Sequence, residues 1–443
     1  MKKILIISLC GIGLLILVFL IVPIQGTKGR LKSYYSGDAI SYQGQTVIAT
    51  TNTGKLELFT LGQNGNIDRF AEVKSYDRRF GTLVDFRDVL LNIETGSLYA
   101  YTVDGKSFVK YDISDLRQAR VVSRTEDNSW DWFGGLEKID GYVSTVGTNG
   151  IKLWTANLNV FDQYKITTPG NYTFNTTSAG SQKFIFTVAD GQIKIYDRET
   201  RNTIKTIPLT FTWAGESNKR SVYNDNIDDS VYVVDDAEVK KINFNGEISK
   251  SFDHTGPFGY DVTSSSDGKY IYFTDGIGIV KLRKSDFAVI DYLYTQSLGG
   301  GNGWATGIKV LDDPEGDKIV LFNGSGIIIL DQNLQPMKND YNQLAIATTT
   351  EIEMYPVIIE PVYLSVDRNR AASNSIILLS GGGFGKSEII NIDFLNTRNT
   401  VVVDEQGSFS IALTVPVSEA KGTDIKVVGQ SSGIKYNLGF FIE

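Results

Sequence analysis

One pattern recurs along most of this chain: an apolar run, a tight turn that usually holds glycine, and a second apolar run. The stretch Asp261 to Asp291 contains one complete cycle. There Ser265-Ser266-Asp267-Gly268 feeds Tyr270 to Phe273, and the turn Asp275 to Gly278 feeds Ile279 to Leu282. Seven such pairs run from residue 38 onward: Val47 to Ala49 with Leu56 to Phe59, Val89 to Ile93 with Leu98 to Tyr101, and Val143 with Ile151 to Trp154. They continue as Phe184 to Val188 with Ile193 to Tyr196, Val231 to Val234 with Val239 to Ile242, Ile271 to Phe273 with Ile279 to Leu282, and Ile319 to Phe322 with Ile327 to Leu330. Their turns fall at Gly54, Gly96, Gly150, Gly191, Ala237, Gly278 and Gly326. Successive turns therefore lie about 45 residues apart, which is a structural repeat.

A period near 40 to 50 residues with several strands per repeat is the signature of β-propeller blades. The expected fold class is all-β, with a seven-bladed propeller over residues 33–350. Glycine suits these turns because a tight hairpin needs positive φ, as at Asn149-Gly150 and Asp190-Gly191. The fifth cycle departs from the rule with Asp235-Asp236-Ala237 at its turn. The long interval before Gly150 predicts extended loops around residues 103–130.

Ser265-Ser266-Asp267-Gly268 followed by Tyr270-Ile271-Tyr272-Phe273-Thr274-Asp275-Gly276 resembles the YVTN repeat. Gly191 to Asp197 with Thr203 to Pro208 looks like the rest of such a unit, and Tyr111-Asp112-Ile113-Ser114-Asp115 is similar to the LVIVD surface repeat. The resemblance implies a seven-bladed propeller and assigns no activity. After Asp340 the rhythm changes. Residues 341–356 close the last blade or form a linker, with Pro356 and Pro361 at the junction and residues 351–361 taken as the linker. Residues 362–443 then show short strands at sandwich spacing: Ile389 to Phe394, Val401 to Asp404, Gly407 to Pro416, Ala420 to Val427 and Leu438 to Ile442. With Gly381-Gly382-Gly383-Phe384-Gly385 ahead of them, they resemble the IPT/TIG immunoglobulin-like domains. That resemblance implies an Ig-like β-sandwich acting as a spacer or contact module outside the cell.

The amino-terminal end, residues 1–32, reads as a short inner stub and a membrane anchor. Ile4 to Val22 is nineteen residues without a charge, which at ~1.5 Å per helical residue nears the ~30 Å hydrocarbon thickness. A cleaved signal peptide would have an apolar region of only about 7 to 15 residues and a small-x-small site. Val22-Pro23-Ile24-Gln25-Gly26 offers none, so an uncleaved signal anchor is expected over about 4–22. Cys10, the only cysteine, sits inside that run. The rest of the chain has no thiol for disulfides, thiolate metal sites or cysteine nucleophiles.

The net charge of −8 and the absence of a Lys/Arg cluster speak against nucleic acid as a partner. The single histidine, His254, has no G-x-S-x-G elbow to serve, and a surface-loop position is expected for it. No cofactor is implied. The acidic loops Asn224 to Asp229 and Asp312 to Asp317 group oxygen ligands, making Asp225, Asp228, Asp312 and Asp317 calcium candidates beside the plainer reading of solvated turns. Aromatic residues precede the first strand of each blade. Trp130, Trp132, Trp213, Trp304, Tyr172 and Tyr260 are the expected binding rim, against the alternative that they fill the space between blades.

The expectation is a non-catalytic, membrane-anchored binding or scaffold protein of the cell envelope. Its bulk would lie outside the cell or in the periplasm, with the propeller face binding a polysaccharide or a partner protein. The alternative is a propeller enzyme of the lactonase or quinoprotein type, which a cluster of acidic and basic residues or a metal in the central channel would favour. A third option is an envelope spacer with no ligand.

Overall fold

The computed structural model describes residues 36–443 apart from 53–54, 63–64, 75, 78–81, 84–85, 87, 104–106, 127–132, 148–149, 165–176, 181–183, 190–191, 211–221, 226–229, 255, 296–304, 324–325, 338–345, 348–362, 419–421 and 432–434. The described chain is all-β, without a helix. Among the described residues no helix is long and apolar enough to cross a membrane, and the expected anchor at 4–22 lies outside them.

Seven antiparallel four-strand meanders follow one another in chain order. The first is Ser36–Tyr42, Gln45–Asn52, Lys55–Leu61 and Ile67–Lys74; the second is Asp88–Glu94, Ser97–Val103, Ser107–Asp112 and Arg120–Glu126. The third is Phe133–Ile139, Tyr142–Gly147, Gly150–Trp154 and Val160–Tyr164; the fourth is Thr177–Gly180, Phe184–Ala189, Gln192–Asp197 and Thr203–Pro208. The fifth is Val222–Asp225, Ser230–Val234, Glu238–Asn243 and Ile248–Asp253; the sixth is Asp261–Ser264, Tyr270–Thr274, Gly278–Arg283 and Val289–Tyr294. The seventh is Ala305–Leu311, Lys318–Asn323, Gly326–Leu330 and Ile346–Ala347, whose last strand pairs Ala347 with Ile327. That pairing places part of the 341–356 stretch in the seventh sheet.

All seven expected hairpins form, with one shift of frame. In six sheets the expected pair is the middle hairpin, but in the second it is the first hairpin, Asp88–Glu94 with Ser97–Val103. The long loops expected around 103–130 are largely strands instead, Ser107–Asp112 and Arg120–Glu126. In the turn Asp275 to Gly278 of the sixth sheet the left-handed residue is Gly276 at φ 89°, and not Gly278. Gly278 is small for another reason: a Cβ there would lie 2.6 Å from the Tyr292 ring and 2.7 Å from the Leu293 carbonyl oxygen.

The middle strands are buried on both faces, as in Ser230–Val234 and Gly326–Leu330, whereas Ile248–Asp253 and Val289–Tyr294 are largely open. Burial on both faces means that the sheets stack face to face, which is why those strands read as nearly unbroken apolar runs. Consecutive sheets share apolar cores: Tyr101 and Phe108 with Leu136 and Trp154, Ile151 and Tyr164 with Ile185 and Tyr196, and Ile193 and Ile195 with Val231 and Val233. The series continues with Tyr232 and Val234 against Ile271 and Phe273, and Tyr272 and Ile279 against Ile308 and Leu321. The first sheet packs on the second through Val47 and Leu56 against Val89 and Leu98. It also packs on the seventh, where Ile48 and Phe59 meet Phe322 and Ile327. Gly37 makes this last approach possible, since a Cβ on it would fall 2.2 Å from the Phe322 ring.

Beyond residue 362 two further sheets face each other. Tyr363–Val366, Ile376–Gly382 and Phe409–Thr414 form one, and Thr397–Val402, Ile389–Phe394, Gly422–Gly429 and Lys435–Ile442 form the other. The last strand continues the second meander by pairing in parallel with Arg120–Glu126 at Ser123–Lys435, Arg124–Tyr436 and Thr125–Asn437. One apolar core accordingly runs from Val89 and Tyr111 to Ile390, Tyr436 and Leu438.

Candidate functional site

The first strands of the seven sheets lie against one another, the first strand of the first sheet touching those of both the second and the seventh. Between the first strands of neighbouring meanders the described residues form no backbone ladder, and side chains bridge them. Aspartates at the strand starts do this. Asp38 accepts from its own neighbour Ala39 N at 2.9 Å and from Leu91 N of the second sheet at 2.8 Å. Asp88 does the same with Val89 N at 2.9 Å and Leu136 N of the third sheet at 2.7 Å. Asp261 repeats the motif with Val262 N at 2.9 Å and Ile308 N of the seventh sheet at 3.0 Å. Bonds of amides to a carboxylate each contribute about 1.5–3 kcal/mol, more than neutral ones.

Lys309 joins this cluster, its Nζ 3.0 Å from Asp38 Oδ1. Asp38, and more distantly Glu137 and Asp261, hold the Lys309 ammonium well above the usual lysine range, outweighing the effect of burial. The side chain still keeps 40% of its surface accessible. Tyr223 adds a phenol that burial and the nearby Asp225 carboxylate push up, against the opposing pull of Ser264 and Lys309. Asp38, Glu137, Tyr223, Asp261 and Lys309 thus bring together five of the seven sheets.

Chemically, this arrangement favours holding over reacting. A lysine kept charged is neither a nucleophile nor a base, and a carboxylate engaged by two backbone amides is fixed in place. None of these five residues was among the sequence candidates. Their signal was present, a polar residue in each short first strand, but only the apolar hairpins are visible by periodicity.

Of the residues that were expected to act, only Tyr260, Asp225, Asp312 and Asp317 are among the described residues. Trp130, Trp132, Trp213, Trp304 and Tyr172 lie outside the described residues, as does Asp228. Tyr260 is buried, with 8% of its surface exposed, and meets Phe258 edge-on at 6.2 Å. Asp225 is buried in an ion pair with Lys284 of the sixth sheet. Asp317 accepts from Ser266 N at 3.0 Å and from its hydroxyl, again between neighbouring sheets, while Asp312 is exposed. Among the described residues no cluster of three or more His, Cys, Asp or Glu could hold a metal ion.

His254 differs from its expected surface position. It is buried, and its Nε2 donates to the Asp235 carbonyl at 2.8 Å, which fixes the proton on that nitrogen in the neutral ring. Two related turns flank it. Asp235 accepts from Ala237 N, Glu238 N, Thr210 N and Lys240 Nζ, and these bonds hold its carboxyl below the usual range although burial opposes them. Asp275 takes the same role in the sixth sheet with Ile277 N and Gly278 N, but Val280 stands where the fifth sheet has Lys240. Its Oδ2 is buried beside the Tyr292 phenol without a lysine to pair with, and burial pushes its carboxyl up.

No protein-family model matches this chain, and no curated protein matches it.

Proposed function

We propose that the seven meanders close into a seven-bladed propeller carrying an Ig-like sandwich, and that the protein is a membrane-anchored binding or scaffold protein of the cell envelope. The observation that carries this reading is the convergence of the first strands on Asp38, Asp88, Asp261 and Lys309. Carboxylates committed to the backbone of the next sheet make a rigid ring whose loops are free to vary, which is how binding functions are mounted on such scaffolds. The core shared by the first and seventh sheets supports closure, and the two facing sheets after residue 362 support the sandwich. Residues 4–22 would form the anchor, with the remainder of the chain extracellular or periplasmic.

A second reading, a propeller enzyme of the lactonase or quinoprotein type, is favoured by the mixed charges around Lys309. The scaffold reading accounts better for their committed hydrogen bonds. The test is capture of envelope polysaccharide and membrane proteins by the full chain, compared with a variant in which Trp130, Trp132, Trp213 and Trp304 are all changed to Ala. Specific capture that the variant loses while staying folded is expected for a receptor with an aromatic rim. Capture of nothing by the native chain, with turnover of a lactone or alcohol that Lys309→Ala abolishes, would replace the binding reading with the enzymatic one.

A further inference from the structure

Where the sheet that ends in Lys435–Ile442 leaves the second meander, its outward face diverges from the third sheet and a crevice of about 760 Å³ opens between them. This volume is within the usual range for ligand sites, and such sites favour boundaries between packed units. Three cations line it: Lys152, Arg370 and Lys426, against Asp424 as its one carboxylate. That balance runs against a chain whose net charge is −8. Lys152 Nζ lies over the Trp154 ring at 6.0 Å, and the Arg370 guanidinium lies over Phe441 at 5.6 Å, so both cations rest on aromatic walls. Asn159, Asn369 and Asn437 add amides that can both donate and accept.

A second cavity, about 660 Å³, lies beside the first and shares Thr423, Asp424 and Lys426 with it. It adds Asp393 and Arg398, ion-paired at 2.6 Å, so together the two make one open groove, with four cations against two carboxylates, crossing the strands that end the chain. At ~4.8 Å between strands, four strands span about 14 Å, longer than a single small anion requires. The strand edge at this crevice is already taken, because Lys435–Ile442 pairs with Arg120–Glu126 and with Arg370–Ala371. A peptide therefore cannot add here as a strand, and recognition falls to side-chain charges and amides.

We propose that this groove binds a linear anionic polysaccharide, its carboxylates held by Lys152, Arg370 and Lys426. The inference rests on the binding reading above and gives it a site built from residues other than those of the expected aromatic rim. The test titrates the full chain with polygalacturonate, using neutral dextran and polyglutamate as comparisons, at low and high salt. Expected are binding of polygalacturonate only, weakening with salt, and a loss of at least tenfold in Lys426→Glu and in Arg370→Glu. Arg283→Glu, on the exposed outer side of the sixth sheet, should change nothing, and thermal unfolding would verify that all three variants fold. Binding untouched by both reversals, equal binding of dextran, tighter binding of polyglutamate, or no binding would each overturn the proposal. If envelope material is still captured by the full chain in those cases, the binding reading survives without this site; if nothing is captured, both fall.

Discussion

Two aspartates in equivalent turns show how one neighbouring residue decides a carboxylate's energetics. Asp235 has four donors, including the buried Lys240 ammonium at 2.6 Å, whereas Asp275 has two backbone donors and the Tyr292 phenol nearby but no lysine. Removing one partner of a buried pair costs about 3–5 kcal/mol, so Asp235→Asn should lower stability by that amount. Asp275→Asn should instead match or exceed the native protein at pH 7. The sign follows from linkage: a carboxyl raised on folding binds its proton more tightly in the native state, so its contribution to stability falls as pH rises from 3.8 through the folded value. The advantage of Asp275→Asn should therefore shrink as the solution is acidified toward pH 4. Urea unfolding of the two variants across that range measures it, and an Asp275→Asn loss as large as that of Asp235→Asn at pH 7 would refute the argument. At Asp267 the sign is opposite. Its carboxyl is lowered to about 2 by Lys269 and Ser265 despite some burial, so its small stabilising effect, screened by solvent, fades only as pH falls below 3.8 toward that value.

Among elements, position within a meander governs protection. Ser230–Val234 and Gly326–Leu330 are buried along their whole length, with hydrogen-bonded neighbours on both sides. Ile248–Asp253 and Val289–Tyr294 are open and have one neighbour each. Hydrogen exchange should be slowest in the middle strands and fastest in these outer ones. Arg120–Glu126 should be the exception among outer strands, since Lys435–Ile442 covers its edge. If the chain is shortened to end at residue 347, exchange in Arg120–Glu126 should rise toward that of Val289–Tyr294 while the fifth sheet is unaffected. An unchanged rate in Arg120–Glu126 would show that the parallel pairing adds no protection.

At the scale of the whole molecule, the junction between the first and seventh sheets is the one among the seven meanders that sequence neighbours cannot supply. Phe322 is buried there against Gly37. Phe322→Ala should cost about 3–5 kcal/mol, as large aromatic truncations in cores do. If the seven sheets form one ring, that loss should appear as a lower midpoint of a single transition, because no sheet is then terminal. A first or seventh sheet melting ahead of the rest in calorimetry would instead describe an open array, whose repeats unfold from the ends.

The seven hairpins were legible because their runs are apolar and their turns carry glycine, aspartate or asparagine, which are local properties of the chain. The four-residue first strands, such as Val222–Asp225 and Asp261–Ser264, were too short and too polar to show a period. A different reason hid the polar cluster: Asp38, Glu137, Asp261 and Lys309 lie far apart in sequence and meet only when the sheets stack. Sequence determined the repeat, the all-β class and the change of rhythm after residue 340, because strand and turn chemistry act over a few residues. Tertiary structure alone decided that Asp38 and Asp261 bind the backbone of neighbouring sheets, that His254 is buried, and that the last strand docks on the second sheet. Each of those depends on groups brought together from distant parts of the chain, which no local pattern records.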